Sequence, residues 1–146
     1  MSVALKRFSN HIGGKAADSA SGETIDVVNP ATGEVIAAVP NSTVDDIDNA
    51  VEAAERAFFG DWGDTTPAER CEVLNSLADA LDEHADELGE LESLNVGKPR
   101  AAAVEEVAGA SDCLRFMAGA ARTPEGQAAA EYVRGSTSMI RREPIG

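Results

Sequence analysis

The acidic run Asp45-Asp46-Ile47-Asp48 is the first group whose residue types suggest chemistry, because closely spaced carboxylates can open a calcium loop. Such a loop also needs a central glycine and a terminal glutamate, and neither follows here. The run sits where a helical pattern begins, and acids there favour the helix dipole, so it reads as a cap. His11 and His84 are far apart, with no ligand or triad partner at a meaningful spacing. Glu105 and Glu106 are adjacent, so on a helix they diverge and cannot act as a carboxylate pair. Cys71 falls in the first turns of a helix, where a thiolate is stabilised, but Arg70 and Glu72 flank it and no histidine or lysine adjoins. Cys113 lies within an alanine-rich helical face. Both cysteines are expected as small, buried or half-buried side chains. Arg141 and Arg142 alternate across a strand, so they do not form one anion site. No glycine-rich dinucleotide loop, Walker loop or HExxH occurs. Read residue by residue, the chain offers no catalytic and no cofactor-binding group.

The elements that would position any site fall into three regions. From His11 to Pro40 the signals are strand-like, at Ile12, Thr24-Ile25-Asp26-Val27-Val28 and Val35 to Val39. Gly13-Gly14, Asn29-Pro30 and Thr32-Gly33 punctuate them, which predicts a small antiparallel meander. From Thr43 the period turns helical, with Val44, Ile47, Val51, Ala54 and Phe58 on one face. That helix runs out at Gly60-Asp61-Trp62-Gly63. Thr66-Pro67-Ala68-Glu69 then predicts a capping box, and Leu74, Leu77, Leu81, Leu88 and Leu91 follow as one stripe. Asn95-Val96-Gly97 stops it, and Pro99 opens a further helix through Val104, Val107, Leu114 and Met117. Beyond Glu131, Tyr132-Val133, Gly135-Ser136 and Thr137 to Arg142 suggest a strand, a turn and a strand. The last residues, Glu143-Pro144-Ile145-Gly146, leave that strand edge open, as expected of a piece of a longer polypeptide.

Composition agrees with a segment that leans on something else. The 146 residues fit one domain. Leu, Ile, Val and Phe number 8, 6, 12 and 4, together about 21 % of the chain, so alanine supplies much of the apolar content and the core is thin. Twenty-six acidic residues against 12 basic ones give a net charge of −14. That surface repels phosphate backbones and anionic lipids, which disfavours nucleic acid and membrane as partners. No signal-peptide or transmembrane run is present, and Cys71 and Cys113 form no staple pattern, so the cytoplasm is the expected compartment. Asn41-Ser42-Thr43 is a glycosylation sequon that needs a secretory route, for which there is no sign.

Several stretches, taken in order, resemble the N-terminal region of the aldehyde dehydrogenase superfamily. They are His11-Ile12-Gly13-Gly14, Asp26 to Ile36 with its Asn29-Pro30-Ala31-Thr32-Gly33 centre, Ala50-Val51-Glu52-Ala53-Ala54 to Phe58, and Trp62. Thr66-Pro67-Ala68-Glu69-Arg70, Glu90 to Pro99 and Arg141 to Gly146 continue the series. Arg115 to Arg122 and Gly135 to Arg142 are most similar to the γ-aminobutyraldehyde dehydrogenase branch, with betaine aldehyde dehydrogenases next. Each piece is weak alone, and their order and spacing make the resemblance specific.

The resemblance implies an α/β fold with an N-terminal β-meander, about three amphipathic helices and a C-terminal β-hairpin arm. Residues 1–130 would be the N-terminal part of an incomplete Rossmann-like coenzyme-binding domain, and residues 131–146 the start of an oligomerisation arm. Family members oxidise aldehydes with NAD or NADP through a cysteine nucleophile, oxyanion donors and a glutamate base. All of these lie past the matching stretch, and neither Cys71 nor Cys113 fits the nucleophile motif. The resemblance therefore implies a chain inactive alone and binding no coenzyme, whose partners are the rest of its coenzyme-binding and catalytic domains and further copies in a homo-oligomer. It also implies a structural monovalent cation at Val27, Val28 and Asn95, the last an amide where an acid often stands. The alternative is a stand-alone acidic helical interaction module without enzymatic activity.

Overall fold

The structure, a computed structural model, describes residues 6–123, 131 and 133–140. Five short strands come first: β1 (Lys6–Arg7), β2 (Asn10–Ile12), β3 (Lys15–Ala17), β4 (Thr24–Val28) and β5 (Val35–Pro40). Four helices follow: α1 (Val44–Phe58), α2 (Pro67–Glu83), α3 (Ala85–Val96) and α4 (Arg100–Ala121). β4 and β5 form the expected antiparallel pair, from Thr24 opposite Pro40 to Val28 opposite Val35. β1 joins β5 in parallel, giving a three-stranded sheet in the order β1-β5-β4. β2 and β3 pair separately as a hairpin, so the strands divide between two sheets instead of following one another in a single one. Gly13 and Gly14, with φ of +58° and +78°, make the hairpin turn, whose tight primed form needs left-handed backbone at both central residues.

The helix starts follow local chemistry. Thr43 accepts from the Asp46 backbone N–H while the Asp46 carboxylate accepts from the Thr43 N–H at 2.8 Å, so the acidic run is a capping box. Thr66 and Glu69 repeat the arrangement at α2, with Thr66 N donating to Glu69 Oε2 at 2.7 Å and Pro67 at the first helical position. The leucine stripe spans two helices, because the chain breaks at His84 (φ −104°, ψ 15°), which ends α2 and begins α3 without a side-chain cap.

α4 packs along both α2 and α3. The contact is made by small residues: Cys71 and Ala78 on α2, Gly89 on α3, and Ala103, Ser111 and Ala118 on α4 are buried. A Cβ on Gly89 would lie 2.4 Å from Val104 Cγ2, so the α3–α4 approach requires glycine there. Arg115 of α4 ties the pair further, donating to Asp79 at 2.7 Å and Asp82 at 2.8 Å on α2. No large side chain is fully buried among the described residues. The leucines expected to form the core are half-buried or, at Leu77, exposed, and Val44, Ile47 and Val51 on α1 are open to solvent. Cys113 also departs from expectation and is exposed. It lies two residues, about 200° around the helix, from Ser111, which puts it opposite the packed face.

Past residue 130, Ser136 N donates to Val133 O at 3.0 Å around Gly135, whose φ is +78°. This is the expected reversal. Tyr132 and the Arg141-Arg142 pair lie outside the described residues. No helix of the described residues is long and apolar enough to cross a membrane.

Candidate functional site

An open cleft of about 370 Å³ separates the β1-β5-β4 sheet from α3. Phe8, Ile36 and Val39 line the sheet side, and Leu88, Leu91 and Leu94 the helix side. Val27 and Asn95, two of the three residues expected to hold a cation, both border it; Val28 does not. Two features of the local sequence bring them together. At Val27/Val28 the β4–β5 register shifts, a bulge that re-aims the strand end. The turn that follows is closed by Asn29, whose side-chain oxygen accepts from Ala31 N at 2.9 Å and whose carbonyl accepts from Gly33 N at 2.8 Å. On the helix side, Gly97 ends α3 with φ +76°, and a Cβ there would lie 2.9 Å from Pro30 Cγ. The C-terminus of α3 thus rests on the Asn29-Pro30-Ala31 turn.

Two charged groups that sequence reasoning passed over share this cleft, Lys6 and Glu92. Glu92 pairs with Lys98 at 2.9 Å, and Lys98 also binds Glu106 on α4. Hydrogen bonds that it donates to Glu106 and then to Glu92 hold the Lys98 ammonium above its ordinary pKa. The Glu92 carboxylate is therefore compensated. The remaining donors for a cation are neutral oxygens, the strand carbonyls and the Asn95 amide. A signal for Glu92 existed, since it lies three residues before Asn95 and so shares its helix face.

The other residues singled out in the sequence are not assembled with this cleft. Cys71 is buried under α4 and meets the Asn75 amide at 3.5 Å. His84 is largely exposed beside Glu87 at 3.8 Å. Glu106 is engaged with Lys98. Asp46 is buried and takes hydrogen bonds from Thr43, Ser19 and Ala20, and the Thr43 backbone N–H foremost holds its carboxyl below the usual range. The same kind of bond from Thr66 lowers Glu69.

These details bear on how the described helix N-termini would meet a dinucleotide. A pyrophosphate is ordinarily held by free N–H groups at a helix N-terminus. At α1 and α2 the cap carboxylates of Asp46 and Glu69 already put a negative charge beside those positions, and α3 carries Asp86 and Glu87 in its first turn. Lys98, Arg100 and Arg115 are each engaged by carboxylates. The N-terminus of α4 differs from those of the other three helices, with no side-chain cap hydrogen bond at Pro99 and no acid in its first turn.

Comparison with known proteins gives a consistent result. The profile of the aldehyde dehydrogenase family matches residues 17–146. An aldehyde dehydrogenase of Alternaria alternata is 42 % identical over 126 residues, which are 86 % of this chain and 25 % of that protein. Malonate-semialdehyde dehydrogenase 1 of Geobacillus thermodenitrificans is 38 % identical over 146 residues, all of this chain and 30 % of that protein. The NAD⁺ complex of an aldehyde dehydrogenase from Bacillus cereus superposes with a TM-score of 0.89 at 34 % identity, covering 96 % of this chain and 29 % of that one. The chain spans less than a third of the length of these relatives.

Proposed function

The chain belongs to the aldehyde dehydrogenase family, and we propose that it serves as the N-terminal part of an enzyme that oxidises an aldehyde to its carboxylic acid with NAD or NADP. The observation that carries the reading is coverage. The whole chain aligns, without leftover sequence, with under a third of a 38 % identical semialdehyde dehydrogenase. NAD is favoured as coenzyme because the Bacillus cereus relative is known as an NAD⁺ complex. In this reading residues 1–130 belong to the coenzyme-binding domain and residues 131–146 begin the arm through which copies oligomerise, in the cytoplasm, where two free thiols are at home. The Val27 and Val28 carbonyls and the Asn95 amide oxygen hold a structural monovalent cation, as neutral oxygen donors suit a hard ion. A stand-alone interaction module is disfavoured by the apolar faces this chain leaves open.

The residues Arg115–Arg122 and Gly135–Arg142 favour an aminoaldehyde such as 4-aminobutyraldehyde, with betaine aldehyde next. The match of all 146 residues to part of a malonate-semialdehyde dehydrogenase favours a second reading, a short semialdehyde bearing a carboxylate. The 146-residue chain alone supplies neither nucleophile nor coenzyme site and is expected to be inactive. NADH formation is measured with 4-aminobutyraldehyde, betaine aldehyde and malonate semialdehyde, and NAD binding by calorimetry. Turnover that disappears in Cys71→Ala overturns this reading.

A further inference from the structure

We propose that Lys98 sets which valence of cation the Val27, Val28 and Asn95 oxygens accept, by keeping the Glu92 carboxylate out of their site. This rests on the reading of those oxygens as a monovalent cation site, in which every donor is neutral because residue 95 is an amide. Glu92 and Asn95 lie three residues apart on α3 and so share a helix face. Both border the cleft together with Val27, and Glu92 is the only carboxylate among the described residues that line it. The charge of the site therefore turns on what Glu92 is bound to.

Lys98 is held where it can decide this. Ser93 Oγ donates to the Lys98 carbonyl at 2.7 Å, and Gly97 beside it rests against Pro30, which pins the backbone where α3 passes into α4. From there the ammonium donates to Glu92 on α3 at 2.9 Å and to Glu106 on α4. The Lys98 side chain is 25 % exposed, less than any other ion-paired side chain among the described residues, so solvent screens these contacts least. Glu106 does not line the cleft and suffices to balance Lys98, which makes Glu92 the spare carboxylate. Lys6, the other ammonium of the cleft, lies over the Phe8 ring at 5.1 Å and adds to the positive field there. With Glu92 engaged, a divalent ion would meet neutral oxygens alone, and taking two uncompensated charges out of water is costly. Released, Glu92 supplies the carboxylate on which calcium sites depend, and the number of charged ligands tunes calcium affinity over orders of magnitude.

The test titrates calcium into this chain by calorimetry in about 0.1 M choline chloride, which screens diffuse attraction without supplying a small competing cation. Lys98→Met is expected to bind calcium about tenfold more tightly than the unmodified chain, and Lys98→Arg to behave as the unmodified chain does. Combined with Lys98→Met, Glu92→Gln and Asn95→Ala each abolish the gain, whereas Glu106→Gln preserves it. That last double variant also removes the repulsion between Glu92 and Glu106 that the loss of Lys98 leaves behind, and an unchanged helical circular dichroism signal confirms that it folds. Equal calcium affinity with and without Lys98, in a chain whose melting temperature sodium still raises, overturns the role of Lys98 while the cation site stands. Equal affinity with no sodium effect overturns both. A gain that survives Glu92→Gln belongs to Glu106 or to the chain's net charge and overturns the proposal. A gain that survives Asn95→Ala places the calcium outside the Val27–Asn95 cleft and overturns the cation reading as well.

Discussion

Gly89→Ala is expected to destabilise this chain, although alanine is the better helix former. In the middle of a helix, replacing glycine by alanine gains up to about 1 kcal/mol through backbone entropy and propensity. At position 89 the added Cβ would fall 2.4 Å from Val104 Cγ2 and 3.0 Å from both the Cα and the N of Val104. The methyl belongs to a β-branched side chain with little rotamer freedom, and the other two atoms are backbone, so α3 must move off α4. Overpacking of this kind costs about 1–3 kcal/mol, which exceeds the propensity gain and leaves a net loss of about 1 kcal/mol. Gly109, exposed on α4, is the internal control, since a Cβ there meets nothing within 4 Å. Gly109→Ala should therefore stabilise by up to about 1 kcal/mol. Urea melts followed by helical circular dichroism give both changes. If Gly89→Ala raises the midpoint as Gly109→Ala does, the α3–α4 approach is looser than argued, and the account of a small-residue interface fails.

The remaining predictions are shorter. Thr66→Ala should cost about 1 kcal/mol, because the Glu69 N–H loses its acceptor; an unchanged urea midpoint would mean that α2 starts elsewhere. Asp46 has a folded pKa below its unfolded value of about 3.9, so its stabilisation is present above that value and lost as pH falls through the folded pKa. Asp46→Asn should thus be less stable than the unmodified chain at pH 7, with the gap closing below about pH 4; a gap independent of pH would remove the carboxylate from the explanation. Potassium or sodium, compared with choline at equal ionic strength, should raise the melting temperature if Val27, Val28 and Asn95 bind a cation, and Asn95→Ala should abolish the difference. Equal melting in all three salts would refute that site.

What could be read in the sequence was what acts over a few residues. The capping boxes Thr43/Asp46 and Thr66/Glu69 close within four positions. The Gly13-Gly14 turn and the stop at Gly97 depend on backbone freedom at single residues, and the order of family-like stretches is itself a sequence property. The resemblance also named Val27 and Asn95 before any geometry joined them, though it could not supply Glu92 or Lys6 beside them.

Burial was decided by tertiary structure, because a period marks an apolar face but not what covers it. Val44, Ile47 and Val51 share a face as expected and remain exposed, since no described element lies over them. Cys71 and Cys113 looked alike in composition, yet only the first turns toward the other helix. The leucine stripe breaks at His84, α4 packs along both halves, and the closest packing falls to Gly89 and the alanines, where small volume lets backbones approach. The cleft arises from the same cause: strands near residue 30 and a helix near residue 95 approach at Pro30, Ala31 and Gly97, and the space that opens beside them has no sequence signature.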